Sequence, residues 1–123
     1  MSLSNFRYQL ACFLRFSEGA SRDAGITPKQ YLLLLHIRGT QGRAWATVGQ
    51  LAERLQSSPH GTVALINRCM ARRLVAKRSN KKDARCVEVH LTALGKALVA
   101  RIAARHRAEL RSMKSSFRVA NVS

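Results

Sequence analysis

Between Thr47 and Thr92 the hydrophobic period changes twice, and cap chemistry marks each change. Thr47 stands three residues before Gln50, a capping-box spacing, and Leu51, Ala52 and Leu55 give the next turns one apolar side. Gln56-Ser57-Ser58-Pro59 breaks that helix. Ser58 suits an N-cap and Pro59 a first helical position. Thr62, Leu65, Ile66 and Cys69 then recur at i, i+3, i+4 and i+7, which predicts one buried stripe. Leu74-Val75 leads into a strand through Arg78, a polar basic tip follows, and Cys86–Leu91 returns with Val87, Val89 and Leu91 on one face. Two short helices about a tight turn, followed by a two-stranded hairpin, make the winged helix-turn-helix arrangement.

The flanks read as helices. Leu3–Glu18 carries Phe6, Leu10, Phe13, Leu14 and Ser17 at helical period, and Gly19 to Thr27 reads as a connector rich in cap and turn residues. Thr27-Pro28 opens a second helix whose run Tyr31–Ile37 is apolar on nearly all sides, so it should be central and buried. Gly39, Gly42 and the polar residues between them end it, and Ala44-Trp45-Ala46 is a short extended piece. Thr92 caps a long last helix in which Leu94, Leu98, Ile102 and Leu110 repeat. Residues 115–123 are polar and read as a flexible tail. The expected class is mainly α with a small β-hairpin wing.

Bulk features narrow the partners. A chain of 123 residues, 46% apolar, supports one domain and buries roughly 65–70% of its unfolded surface without disulfides. No stretch approaches a membrane span, and arginines interrupt the N-terminal apolar residues, unlike a secretory signal. Cys12, Cys69 and Cys86 are odd in number and unrelated in spacing, which points to no disulfide framework and a reduced, cytoplasmic protein. Asn121-Val122-Ser123 matches a glycosylation pattern that carries no weight without a secretion signal. His36, His60, His90 and His106 lack metal-ligand spacing, so no metal or other cofactor is expected. No nucleophile–base pattern, phosphate loop or paired carboxylates appear, and an enzyme is not expected.

The net charge of +16 says more once it is placed. Residues 1–56 hold seven Lys/Arg against three Asp/Glu, and residues 57–123 hold fifteen against three, so the excess is +4 in the first part and +12 in the second. One dense run is Lys77–Arg85, on the hairpin. A second group, Arg101, Arg105, Arg107, Arg111 and Lys114, falls in the last helix, where a solvated face explains it as well as binding does. Bases crowded on a hairpin do not suit a membrane surface.

The second helix of a helix-turn-helix enters the major groove. Opposite its buried stripe stand Gly61, Ala64, Arg68 and Arg72, beside His60 and Asn67. Small residues at Gly61 and Ala64 would let the backbone approach bases. Arg68 and Arg72 would reach phosphates, and Ser58 and His60 would donate to bases or phosphates near the positive helix end. On the hairpin, Arg85 suits the negative potential of a narrow minor groove, with Asp83 holding its guanidinium, and Lys81 and Lys82 suit phosphates.

Taken together, Val48–Leu55, Gly61–Arg68, Asp83-Ala84-Arg85 and Val89-His90-Leu91-Thr92-Ala93-Leu94-Gly95 resemble the MarR family of bacterial transcription regulators. The Asp-x-Arg wing followed by Leu-Thr-x-x-Gly is the most specific part, and Ile26-Thr27-Pro28-x-Gln30-Tyr31 also fits. The resemblance spans about residues 4–112. It implies a winged helix-turn-helix over 28–91 and N- and C-terminal dimerisation helices over 1–27 and 92–114. It further implies a homodimer that binds pseudo-palindromic operator DNA, usually as a repressor, relieved by a small aromatic or phenolic effector. Arg85 takes the position of the family's minor-groove arginine. Some members carry a redox-sensing cysteine in the N-terminal helix, and Cys12 lies in such a helix, where a plain packed or exposed thiol is the other reading. Two departures stand out. The family often has Gly where Arg73 stands, and if that position is left-handed an Arg costs about 1 kcal/mol there. Many relatives also continue into a further C-terminal helix, whereas Lys114–Ser123 lacks an apolar stripe. Two other readings stay open: a nonspecific or architectural nucleic-acid-binding protein with the same fold, and a module whose wing contacts an acidic protein.

Overall fold

The structure is a computed structural model and describes residues 2–40 and 43–113. In chain order the elements are α1 (Leu3–Asp23), α2 (Pro28–Arg38), β1 (Trp45–Thr47), α3 (Val48–Leu55), α4 (Pro59–Ala71), β2 (Val75–Ser79), β3 (Val87–Leu91) and α5 (Ala93–Ser112). The chain is mainly helical with one small antiparallel sheet, ordered β1-β3-β2. The expected flexible tail, 115–123, lies outside the described residues. Two compact units divide the chain. Residues 29–100 form a winged unit, and the termini, up to Pro28 and from Arg101 on, form a second.

The winged unit closes around Leu33, Leu34, Ile37, Leu51, Ile66, Cys69 and Val89, each at most 1% exposed. Fully burying an aliphatic side chain of this size contributes about 1.5–3 kcal/mol. The expected stripe of α4 is the one found, Thr62, Leu65, Ile66 and Cys69. Burial pushes the Cys69 thiol up to about 11, so it stays protonated core. In α2 the apolar run buries Tyr31, Leu33, Leu34 and Ile37, while Leu32 remains exposed. The capping box at Thr47 forms in full: its hydroxyl accepts from the Gln50 amide at 3.2 Å, and Gln50 Oε1 accepts from the Thr47 amide at 2.9 Å.

Helix ends explain where the chain turns. Leu74 N donates to Cys69 O at 3.0 Å and Arg73 N to Met70 O at 2.9 Å, with Arg73 left-handed at φ 59°. This is a Schellman closure with arginine where glycine is preferred. The Leu-Thr-x-x-Gly segment packs against it. The Thr92 hydroxyl donates to Arg73 O at 2.7 Å and accepts from Gly95 N at 3.0 Å. A Cβ on Gly95 would stand 2.1 Å from the Leu74 carbonyl oxygen, so only glycine lets α5 begin there.

Two expectations about the terminal helices need correction. First, α1 runs to Asp23 rather than stopping at Glu18. Ser21, which reads as a turn residue, is buried and donates from its hydroxyl to Ser17 O at 3.0 Å inside the helix. The end comes at Gly25, φ 82°, where Ile26 N reaches back to Ser21 O at 3.1 Å. Second, the inward face of α5 is not the expected leucine repeat. It buries Gly95, Val99, Ile102, Ala103 and His106, while Leu94 and Leu110 are exposed. The period is helical in both readings; of the expected repeat Ile102 is buried and Leu98 half-buried, whereas Leu94 and Leu110 face away from the buried side.

Within the terminal unit, α1 buries only Ala20 and Ser21 and leaves Leu3, Tyr8 and Leu14 at 60%, 64% and 55% exposure. Its best-satisfied point is His106. Nδ1 contacts Ile102 O at 2.8 Å and Nε2 contacts Ser17 Oγ at 2.7 Å, while Phe13 and Phe16 meet the ring edge-on at 5.5 and 5.7 Å. Arg105 pairs with Asp23 at 3.3 Å.

Candidate nucleic-acid interface

Two elements of the winged unit bring the expected binding residues to its surface. The first is α4. Its N-cap Ser58 accepts from the Gly61 amide at 3.0 Å, and Pro59 occupies the first turn. Ser58, His60, Gly61, Asn67, Arg68 and Arg72 are exposed and Ala64 is half-buried, all off the buried stripe. Gly61 has a local role as well. A Cβ there would lie 3.1 Å from the hydroxyls of both Ser57 and Ser58, so its absence lets the turn close tightly. Asn67 is engaged in the free protein: its Oδ1 accepts from Lys77 Nζ at 3.2 Å, linking α4 to β2. A cleft of about 460 Å³ runs beside this face, lined by Lys29, Leu32, Gln56, Ala64 and Arg68 among others.

The second element is the hairpin tip between β2 and β3. Lys81, Lys82, Asp83 and Arg85 are exposed. Asp83 Oδ1 accepts from Arg85 N at 3.1 Å and from Arg85 Nε at 3.2 Å. One acid thus sets both the backbone and the side chain of Arg85, which explains an acid inside a basic cluster. The contact uses Nε only, and the side chain is 92% exposed, so both terminal nitrogens of the fork face solvent. A fully exposed pair of this kind contributes little to stability. Its effect is on direction.

Sequence reasoning missed the support of the tip. Asn80 Oδ1 accepts from the Lys82 and Asp83 amides at 2.9 and 3.0 Å, an Asx turn, and Asn80 N donates to Cys86 O at 3.0 Å. Behind it, Glu88 accepts from Asn80 Nδ2 at 2.7 Å and contacts His90 Nε2 at 2.8 Å. These bonds hold the Glu88 carboxyl below the usual range, the His90 contact being the largest cause. Glu88 and His90 alternate along β3, so they share the face opposite Val89; that spacing was the available signal. Cys12, outside this unit, is exposed on α1, and a hydrogen bond with it raises the neighbouring Tyr8 hydroxyl.

Among the described residues no group of His, Cys, Asp or Glu could hold a metal ion, and no helix is long and apolar enough to cross a membrane. A helix with an exposed basic face beside a basic hairpin, on one small sheet, defines a winged-helix nucleic-acid-binding module. The model of the MarR family matches residues 24–85, half of the chain. The chain belongs to the MarR family of transcription regulators. Solved structures agree in fold. A MarR family protein from Bacillus stearothermophilus superposes with TM-score 0.77 at 21% identity, covering 92% of this chain and 76% of that one. A MepR variant from Staphylococcus aureus, bound to an oligodeoxyribonucleotide, superposes with TM-score 0.74 at 19% identity, covering 89% and 79%. A MarR variant from E. coli gives TM-score 0.76 at 20% identity, covering 94% and 85%. No curated protein matches the chain.

Proposed function

We propose that this protein is a sequence-specific regulator that binds double-stranded DNA as a homodimer. One observation carries the reading: the exposed face of α4 and the Asp83-held Arg85 lie on the same compact unit. On this reading α4 is the recognition helix. Ser58, His60, Gly61, Ala64 and Asn67 face base edges, while Arg68, Arg72, Lys81 and Lys82 take phosphates. Arg85 enters the minor groove. The dimer is made by α1 and the end of α5, which supports binding to a pseudo-palindromic operator, each half-site meeting one wing unit. The exposed Leu3, Tyr8 and Leu14 support that pairing. By its family resemblance the protein represses, and a small aromatic or phenolic effector relieves it.

Selection of bound duplexes from a random pool tests this. An inverted-repeat consensus is expected. Equal affinity for the selected and the random duplexes would make the protein architectural instead, and failure to retard any duplex at low salt would overturn DNA binding altogether. On the selected duplex, Arg85→Ala should weaken binding by about 1–3 kcal/mol without unfolding the protein. Arg68→Ala should weaken all sequences alike and lower the salt slope by roughly 0.9. Normal binding by both variants rules out these roles.

A further inference from the structure

The face of the sheet that bears Trp45 and His90 carries a line of contacts with no part in the binding roles above. At its start Arg43 donates from Nε to Trp45 O at 3.0 Å and from Nη2 to Gln50 Oε1 at 2.6 Å, and its guanidinium lies 3.7 Å over the Trp45 ring. Gln50 is the same residue that completes the capping box of α3. Trp45 lies opposite His90 in the β1–β3 register, and the rings stack at 5.8 Å and 26°. His90 then meets Glu88, Glu88 meets Asn80, and Asn80 closes the wing turn. Each link runs from the N-terminus of α3 to the tip that bears Arg85.

Glu88 is the residue that this line needs most. Its side chain is only 14% exposed and that of His90 17%, so neither is a solvated surface group. Removing a carboxylate from water is unfavourable unless its oxygens are bonded, and here each oxygen has one partner. Packing does not require an acid at this place, because Val89 and Leu91 provide the buried side of β3. What the two oxygens do join is the rigid sheet and the Asx turn. A two-stranded hairpin is marginally ordered by itself. Binding through a loose tip would lose affinity to the ordering of that tip.

We propose that Glu88 is a positioning residue for DNA binding: its carboxylate, bridging His90 and Asn80, sets the wing turn so that Arg85 is presented in its binding geometry before DNA arrives. The proposal rests on the reading that the wing binds DNA, and the test separates the two. The probe is the duplex enriched from the random pool, or the pool itself where no consensus emerges. Glu88→Ala should weaken binding about tenfold, the scale of one lost charge-assisted hydrogen bond. Glu88→Gln, which can still accept from Asn80, should stay within about threefold of wild type. In the free protein Glu88→Ala should speed hydrogen exchange of the Lys82 and Asp83 amides while leaving that of Val89 unchanged, a pattern that general destabilisation would not give. In an Arg85→Ala background the Glu88→Ala loss should nearly vanish, because tip order then serves nothing. Should Glu88→Ala fail to fold, Asn80→Ala, which removes the half-buried turn residue that Glu88 holds, carries the same expectations for binding. If Arg85→Ala weakens binding but Glu88→Ala does not, or if the two losses add in full, the positioning role is wrong and the wing reading stands. If Arg85→Ala binds like wild type, the wing reading falls and this role falls with it.

Discussion

The winged unit and the terminal unit are built from helices of similar apolar content, yet they satisfy their side chains very differently. The winged unit places the stripes of α2, α3 and α4 inside, with eight large or sulfur-bearing residues at or below 1% exposure. In the terminal unit α1 spans 21 residues and buries two, both small. Its polar contacts are well made, as at His106, but Leu3, Tyr8 and Leu14 are left in solvent. The contrast teaches that the winged unit buries its helical stripes within itself, whereas α1 leaves Leu3, Tyr8 and Leu14 exposed, the apolar surface that the proposed dimer would use.

That contrast can be broken most directly with a pair of truncations. Ile66→Ala, in the winged unit, should cost about 2–5 kcal/mol in chemical denaturation. Leu14→Ala should cost well under 1 kcal/mol to the isolated chain, because the side chain is 55% exposed. If the proposed dimer forms through α1, Leu14→Glu should instead shift the protein toward monomer in sedimentation at micromolar concentration. Equal losses from Ile66→Ala and Leu14→Ala would erase the difference between the units.

A smaller effect sharpens the account of the winged unit. Arg73→Gly places glycine at the left-handed closure of α4 and should raise stability by about 1 kcal/mol, read as an upward shift of the denaturation midpoint at constant slope. No change would mean that the Arg73 side chain makes compensating contacts.

The smallest effect is with pH. The Glu88 carboxyl is held below its ordinary value, so on acidification the unfolded chain takes up that proton first and stability falls as pH drops from the usual glutamate range. His36 is also lowered, by burial and then by the Arg54 charge, so below its ordinary value of 6.5 the unfolded chain takes up the proton while the folded chain keeps the neutral ring, and stability falls. Both act in one direction. Denaturation midpoints should decline steadily from neutral pH downward, and Glu88→Gln should flatten the acid end of the curve.

Much of the winged unit was legible because its signals are local. Thr47 with Gln50, Ser58 with Pro59, the stripe from Thr62 to Cys69 and the alternation in β3 each depend on residues a few positions apart. The candidate contacts Ser58, Arg68, Lys81 and Arg85 could be named for the same reason, since a face opposite a stripe and a hairpin tip are known once the elements are. The errors fell where a side chain is judged by distant neighbours. Ser21 looked like a turn and is helical. Leu94 and Leu110 looked like core and are exposed, while Gly95 and His106 are inside.

The sequence by itself therefore determined the order of elements, the caps, the buried face of α4 and the excess of positive charge in residues 57–123, divided between the helix-turn-helix with its wing and the last helix. These follow from periodicity and hydrogen-bond chemistry within single elements. Only the tertiary structure decided the strand register that stacks Trp45 on His90, the left-handed strain at Arg73, the contact that forbids a side chain at Gly95 and the bridge from Glu88 to Asn80. The physical reason is sequence distance: each joins segments whose spacing in the chain says nothing of their approach. Register, packing and close backbone contact are fixed only when whole elements meet.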